Sequence, residues 1–287
     1  MKNLIKSVIA VIAIVFSSSA QAQTKAPKLE NSLLWEVSGN GLEKPSYLYG
    51  TIHMICGPDY FLSEKTKKAF STANKLVLEI NFANAAEMTD MQKLAMGKEP
   101  LSKLLNPRQL SQLDDILKKT AGMTVQQVDN FSLMTVMSLI SMKSFGCADI
   151  KLYEMEFIEM AKKRNIQIDG LETVKSQISI FENAYTNDEM ITMLSESDQD
   201  ETAKLVAVYK AENIESLYDI ITDKKITSEK TKKMILDGRN LNWIKVMPQM
   251  MKNESVFFAV GAAHLGGEFG VINLLRNAGY IVKPVMN

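Results

Sequence analysis

Histidine, cysteine and tryptophan are scarce in this sequence of 287 residues, which contains two of each. An excess of charge is also absent, because 33 Lys and Arg residues are balanced by 33 Asp and Glu residues. Nucleic-acid-binding proteins normally carry a basic excess, so we expect no nucleic-acid partner. The composition is that of a globular protein, and chemistry that uses imidazole or thiol groups has few candidate residues.

An unbroken apolar run occupies residues 8–16, after Lys2 and Lys6 and before the small residues Ala20 and Ala22. This order predicts a secretory signal peptide that is cleaved after Ala22. The run is too short for a permanent membrane anchor. We therefore expect a periplasmic or secreted protein, whose mature chain has 31 basic and 33 acidic residues.

The two cysteines, Cys56 and Cys147, are expected to form a disulfide, because export places them in an oxidising compartment. The bridge would close a loop of about 90 residues, which the chain-entropy model values at roughly 4–5 kcal/mol. A nucleophilic or metal-binding thiol is the alternative, but neither cysteine has a CxxC partner or an adjacent histidine.

The mature chain is predicted to comprise a flexible lead-in over residues 23–32 and a single α/β domain over residues 33–287. Two βαβ-type halves should form a central mixed sheet, separated by a helical insertion over about residues 85–250. Strands are predicted at 33–37, 46–52, 75–80, 166–170, 255–260 and 280–285, and helices at 63–73, 124–143 and 266–278.

Both histidines follow a predicted strand and lie three residues after a glycine, in Gly50-Thr-Ile-His53 and Gly261-Ala-Ala-His264. A glycine at a strand exit permits a close backbone approach or a positive φ. Ligands of open α/β sheets bind outside the carboxyl ends of the strands. The histidines are therefore expected to converge there, although each alone could be an ordinary core residue.

Two carboxylates occupy similar places: Glu79 interrupts the apolar strand at 75–80, and Glu172 follows the strand at 166–170. A buried unpaired charge is costly, so Glu79 is either functional or lies at a solvent-exposed edge. Two imidazoles and one or two carboxylates would suit a divalent metal with positions left for water. His53, Glu79 and His264 are the predicted ligands, with Glu172 as a fourth ligand or a base.

The segments 33–53 and 76–79 resemble the start of the TraB/GumN family, and 260–282 is similar to its C-terminal block. Its middle signatures are matched by Gly170-Leu-Glu172-Thr with Gln177 and by Arg239-Asn240 with Trp243. This resemblance implies relation to Tiki metalloproteases and, more distantly, to erythromycin esterases and haem-associated ChaN-like proteins. It also implies that His53, Glu79 and His264 are essential residues.

The leading hypothesis is an exported metal-dependent hydrolase that cleaves peptides or protein termini. The resemblance favours Mn²⁺ or Co²⁺ over Zn²⁺, and Glu79 or Glu172 would be the general base. Arg239 would bind a substrate carboxylate or form a surface salt bridge. The alternatives are a metal-free esterase-like hydrolase with His53 or His264 as base, and a non-catalytic protein that binds peptide, haem or metal. Neither the substrate nor the oligomeric state follows from the sequence.

Overall fold

The computed structural model describes residues 28–196, 199–225 and 227–286. The predicted signal peptide lies outside these residues. The described end of the predicted lead-in packs against the domain, because Ser32 is fully buried and the Leu29 amide donates to Glu215. The described end of the lead-in is thus in contact with the domain, and the flexibility of residues 23–32 stays a prediction.

The described part of the chain begins with three strands, and helices separate the later strands. The first part contains β1 (Leu34–Ser38), β2 (Ser46–Thr51), β3 (Met54–Cys56), α1 (Glu64–Thr72), β4 (Lys75–Ile80), α2 (Ala85–Ala95), α3 (Leu101–Leu104), α4 (Pro107–Ala121) and α5 (Leu133–Ser144). The second part contains β5 (Ile150–Leu152), α6 (Tyr153–Arg164), β6 (Gln167–Glu172), α7 (Val174–Ala184), α8 (Asn187–Glu196), α9 (Gln199–Lys210), α10 (Ile214–Ile221), α11 (Glu229–Lys232), α12 (Gly238–Met251), β7 (Val256–Gly261), α13 (Val271–Asn277) and β8 (Ile281–Pro284).

A six-stranded mixed sheet in the order β6-β4-β7-β2-β1-β8 organises the domain, which confirms the predicted α/β class. The four strands β6, β4, β7 and β2 are mutually parallel, whereas β1 pairs antiparallel with β2 and β8. β7 is buried along its whole length. It lies between β2 and β4, so these two strands are parallel but not neighbours. Strands from the first and last parts of the described chain therefore pair within one sheet, with β7 between β4 and β2 and with β8 beside β1.

The predicted elements differ from the structure at two helices. The segment predicted as one helix at 124–143 is a short 3₁₀ turn followed by α5, because Ser132 accepts the Thr135 amide and starts a new helix. The helix predicted from Gly266 begins only at Val271. Gly267 has a φ of 81°, which is incompatible with a right-handed helix.

Two hydrophobic clusters stabilise the fold. The larger one surrounds the sheet and includes aromatic residues from β2, α6 and β7, such as Tyr49, Phe157 and Phe257. The second lies within the helical part and includes Leu113, Val136 and other side chains from α4, α5 and α8. The sheet and its cluster give the strand ends a rigid support.

The predicted disulfide between Cys56 and Cys147 is present and is confirmed. Its Cα atoms are 6.0 Å apart, and it ties the segment before β5 to the end of β3. β3 and β5 form a separate two-stranded antiparallel sheet that sequence analysis did not predict. This small sheet holds the start of α6 next to the residue that precedes β3, His53.

Candidate active site

The carboxyl ends of the four parallel strands bring the predicted side chains to one edge of the sheet. His53 follows β2, Glu79 is the penultimate residue of β4, Glu172 ends β6, and His264 follows β7. Because these strands are parallel neighbours, residues far apart in sequence meet at this edge. The predicted convergence of four side chains is found in the structure, whereas their chemical roles stay predictions.

Gly261 lies at the point where three of these side chains come closest. A Cβ placed on Gly261 would meet His53 Nε2 at 2.9 Å, Glu79 Oε1 at 3.3 Å and His264 Cδ2 at 3.5 Å. Its amide also donates to Glu79 Oε1 at 2.7 Å. The glycine therefore permits close backbone approach and not a positive φ, which is −54° at this position.

Arg239, near the start of α12, lies at the centre of the site. Its Nε donates to Glu172 Oε1 at 2.9 Å, and its Nη2 donates to both Glu79 and Glu172. Its Nη1 donates to the Ile235 carbonyl and contacts His264 Nε2 at 3.0 Å. The side chain is only 4% exposed, so the predicted surface salt bridge is wrong. Substrate binding by Arg239 stays a prediction, and every guanidinium nitrogen already has a partner within the protein.

The Arg239 guanidinium stabilises the ionised form of Glu79. Burial alone would raise the pKa of Glu79, but Arg239 holds the pKa of this carboxyl well below its usual range. Gln177 adds a second link, because its Nε2 donates to Glu79 Oε2 at 3.1 Å and to Glu172 Oε1 at 3.0 Å. Glu79 lines the cavity described below, whereas Glu172 contacts Arg239 and is not part of the cavity lining.

His264 is a neutral imidazole in this arrangement. Its Nδ1–H donates to Asn240 Oδ1 at 2.6 Å, which leaves Nε2 to accept from Arg239. Burial and the positive charge of Arg239 lower the pKa of His264 to about 3. Trp243 packs against the ring, with ring centroids 4.4 Å apart. His264 is thus held in one tautomer by residues of α12.

His53 has a different environment from His264. Its side chain is 52% exposed, and its backbone is left-handed with a φ of 61°. A positive φ is uncommon outside glycine and stores local strain. His53 Nδ1 lies 2.7 Å from Glu154 Oε1. Partial burial disfavours the charged ring, but the Glu154 carboxylate raises the pKa of His53 to about 9, so the ring is an imidazolium at neutral pH.

Glu154 is a site residue that sequence analysis missed. It lies in the first turn of α6, and the Thr51 hydroxyl also donates to it at 3.1 Å. The Tyr153 amide donates to the His53 carbonyl, so the backbone contact aligns the two segments. The one available signal was the cysteine pair, because Cys56 and Cys147 tie the chain close to His53 and Glu154.

The site takes its side chains from both the helical insertion and the two ends of the domain. The insertion supplies Glu154, Glu172, Gln177 and Arg239 to the site, in addition to any control of access. The α/β ends supply Glu79 and both histidines. The site is therefore assembled from both parts of the chain.

A cavity of about 510 Å³ opens above these groups. Its floor is charged and includes His53, Glu79, Glu154 and Arg239. Its walls are mainly apolar and are contributed by α2, α6 and α7. The volume falls within the range of small-molecule and peptide side-chain sites. The cavity gives a ligand direct access to Glu79 and to the His53–Glu154 pair.

The side chains as arranged do not fit a three-ligand metal site. The His264 atom nearest to a Cβ placed on Gly261 is the ring carbon Cδ2, because the nitrogen Nε2 contacts Arg239 instead. Metal–nitrogen bonds are about 2.1 Å long, so His264 could act as a ligand only after releasing the guanidinium. Within the described ranges, no cluster of three or more His, Cys, Asp or Glu side chains has a metal-binding arrangement. Mn²⁺, Co²⁺ or Zn²⁺ binding therefore stays a prediction.

The fold and site define an α/β protein with a buried arginine–carboxylate–histidine centre at the carboxyl ends of parallel strands. Residues 33–284 match the model of the TraB/PrgY/gumN family, and the chain belongs to this family. This confirms the resemblance found in the sequence. Across the described part of the chain, no helix combines the length and hydropathy that crossing a membrane requires.

The chain is also similar to a protein from Danio rerio described as "Metalloprotease TIKI2". The two are 23% identical over 319 aligned positions, which include 88% of this chain and 61% of the fish protein. The chain thus spans about three fifths of that relative.

Proposed function

We propose that the chain is an exported hydrolase that cleaves peptides, with His53 as the group that transfers a proton. The observation that carries this proposal is the position of the His53–Glu154 pair, which faces the same cavity as the ionised Glu79. A positioned imidazole paired with a carboxylate is a common device for acid–base catalysis.

Each charged group has a distinct task in the proposed reaction. The Glu154 carboxylate fixes the His53 ring through Nδ1, so that Nε2–H is directed toward Gly261 and Glu79. At neutral pH the water oxygen adds to the scissile carbonyl carbon, and His53 Nε2–H donates its proton to the amide nitrogen as the C–N bond breaks. The neutral Nε2 then accepts the surplus proton of the added water, which restores the imidazolium and leaves a carboxylic acid and an amine as products. Glu79 accepts a hydrogen bond from the attacking water, and Arg239 keeps Glu79 ionised throughout.

Export to the periplasm or outside the cell belongs to the same proposal. It is supported by the signal-like segment at residues 1–22 and by the disulfide, which is typical of oxidising compartments. A peptide or protein substrate is supported by the description of the distant relative as a metalloprotease.

A metal-dependent peptidase is the second candidate function. It is supported by the same relative and by the approach of His53 Nε2 and Glu79 Oε1 to one point beside Gly261. The relation to Tiki proteases favours Mn²⁺ or Co²⁺, with Zn²⁺ as the third choice. The contact between Arg239 and His264 opposes this candidate.

The test is cleavage of a peptide library by the purified mature protein, read by mass spectrometry. His53→Ala and Glu154→Gln should each abolish cleavage. Glu156→Gln is the matched control, because Glu156 lies on the same helix and pairs with Lys151 at the surface. Cleavage that persists in EDTA supports the metal-free reaction. Cleavage that requires Mn²⁺, Co²⁺ or Zn²⁺ supports the second candidate, and binding of peptides without cleavage would refute both.

A further inference from the structure

The cavity has a sharp division between its floor and its walls. The charged groups lie on the floor, whereas the walls carry flexible and aromatic apolar side chains. The principal wall residues are Phe82, Met88, Met91, Leu152, Met155 and Phe181. A ligand that fills this cavity must therefore combine a polar reacting group with a large apolar group.

Three of these wall residues are more exposed than large apolar side chains normally are. Met88 is 36% exposed, Leu152 38% and Met155 42%. Single exposed apolar residues are common, but a group around one cavity marks a binding surface. Methionine is unbranched and polarisable, so a methionine-rich wall adapts to apolar groups of different shape.

The helix α2 forms one wall and is held by polar contacts, both along the side that faces α7 and at its last residue, Ala95, whose carbonyl accepts hydrogen bonds from the start of α5. None of its eleven residues is buried. Glu87 accepts the Val174 amide at 2.8 Å, and Asp90 pairs with Lys175 at 2.9 Å. Met88 and Met91 of the same helix line the cavity. The apolar side of α2 therefore has a contact surface that a ligand would complete.

We infer that this wall binds a large apolar side chain of the substrate, such as Leu, Met or Phe, beside the scissile bond, and that α2 packs onto it. This inference rests on the proposed function, because the charged floor fixes where the scissile bond lies. Burial of one Leu-sized or Phe-sized side chain should strengthen binding about 10- to 100-fold relative to Ser.

Binding to the His53→Ala variant of the full mature chain separates this inference from turnover. Peptides of one length, with Leu, Phe, Ser or Asp at one central position, would be titrated by calorimetry. The Leu and Phe peptides should bind about 10- to 100-fold more tightly than the Ser peptide. Hydrogen exchange within α2 should slow with the Leu peptide and stay unchanged with the Ser peptide.

The double substitution Met88→Ser and Met155→Ser should reduce this preference to a few-fold. Met142→Ser is the control, because Met142 is 40% exposed on α5 and does not line the cavity. Equal affinity for all four peptides, absence of binding, or a preference that survives the double substitution would overturn the inference. Retained apolar preference with no cleavage by the native protein would refute the proposed function alone.

Discussion

The Arg239→Met substitution would remove the positive charge that lies between Glu79 and Glu172. Both carboxylates would remain buried beside an apolar side chain of similar length. Removal of one partner from a buried ion pair typically costs 3–5 kcal/mol, because the remaining charge is uncompensated. We expect a loss of about 4 kcal/mol in the free energy of unfolding at pH 8, against a usual total of about 5–15 kcal/mol.

The pH dependence of this loss follows from the pKa of Glu79. In the native protein this pKa lies below its unfolded value, so the stabilisation is present above about pH 4.5 and is lost as the pH falls further. In the variant, burial without Arg239 raises the folded pKa above the unfolded one. The variant should then regain stability as the pH falls, and its deficit should shrink from pH 8 to pH 5.

Urea denaturation followed by circular dichroism at several pH values would measure both effects. Arg108→Met is the matched control, because Arg108 and its partner Asp188 are exposed and such pairs contribute about 0–1 kcal/mol. Arg239→Met combined with Glu79→Gln and Glu172→Gln should recover most of the loss, since no buried charge remains. A deficit below about 1 kcal/mol, or one that is equal at pH 5 and pH 8, would refute the reasoning.

Three further measurements test separate parts of the structure. Because the pKa of His264 falls to about 3, the free energy of unfolding should decline as the pH falls from about 6.5 to 3. In urea denaturation at several pH values, His264→Gln should weaken this pH dependence by the equivalent of nearly one bound proton. The pKa of His53 is raised to about 9, so the stabilisation from its charged ring is complete below about pH 6.5 and is lost as the pH rises through 9. Glu154→Gln should lower the pKa of His53 in an NMR titration. Replacement of Cys56 and Cys147 by serine should cost about 2–5 kcal/mol in calorimetry, and an unchanged melting temperature would contradict this.

The strands and their ends could be predicted from the sequence because the signals are local. Apolar runs bounded by turn residues identify β2, β4 and β7, and the strand limits agree within one or two residues. The order of the strands is not a local property. The position of β7 between β2 and β4 depends on pairing across about 200 residues, for which short-range patterns carry no information.

The site could be predicted where a residue lies within a strand or just after it, and at Arg239 through the family resemblance. His53 and His264 were identifiable because each follows a glycine at a strand exit. Glu154 was not, because it lies in a helix of the insertion and reaches His53 through the pairing of β3 with β5. Of the two alternatives open for these glycines, close backbone approach holds at Gly50 and Gly261, whereas the positive φ falls on His53 itself.

The charges of the site divide it into a fixed half and an accessible half. In the fixed half, Arg239 binds Glu79, Glu172 and His264, and the four side chains are at least nine tenths buried. A buried carboxylate is costly without a partner, so the burial of Glu79 requires the helix that carries Arg239. The accessible half is the His53–Glu154 pair, whose imidazole is about half exposed. Proton exchange with solvent or substrate is consequently open to His53 and closed to His264, and the two histidines have different roles although both follow the same local motif.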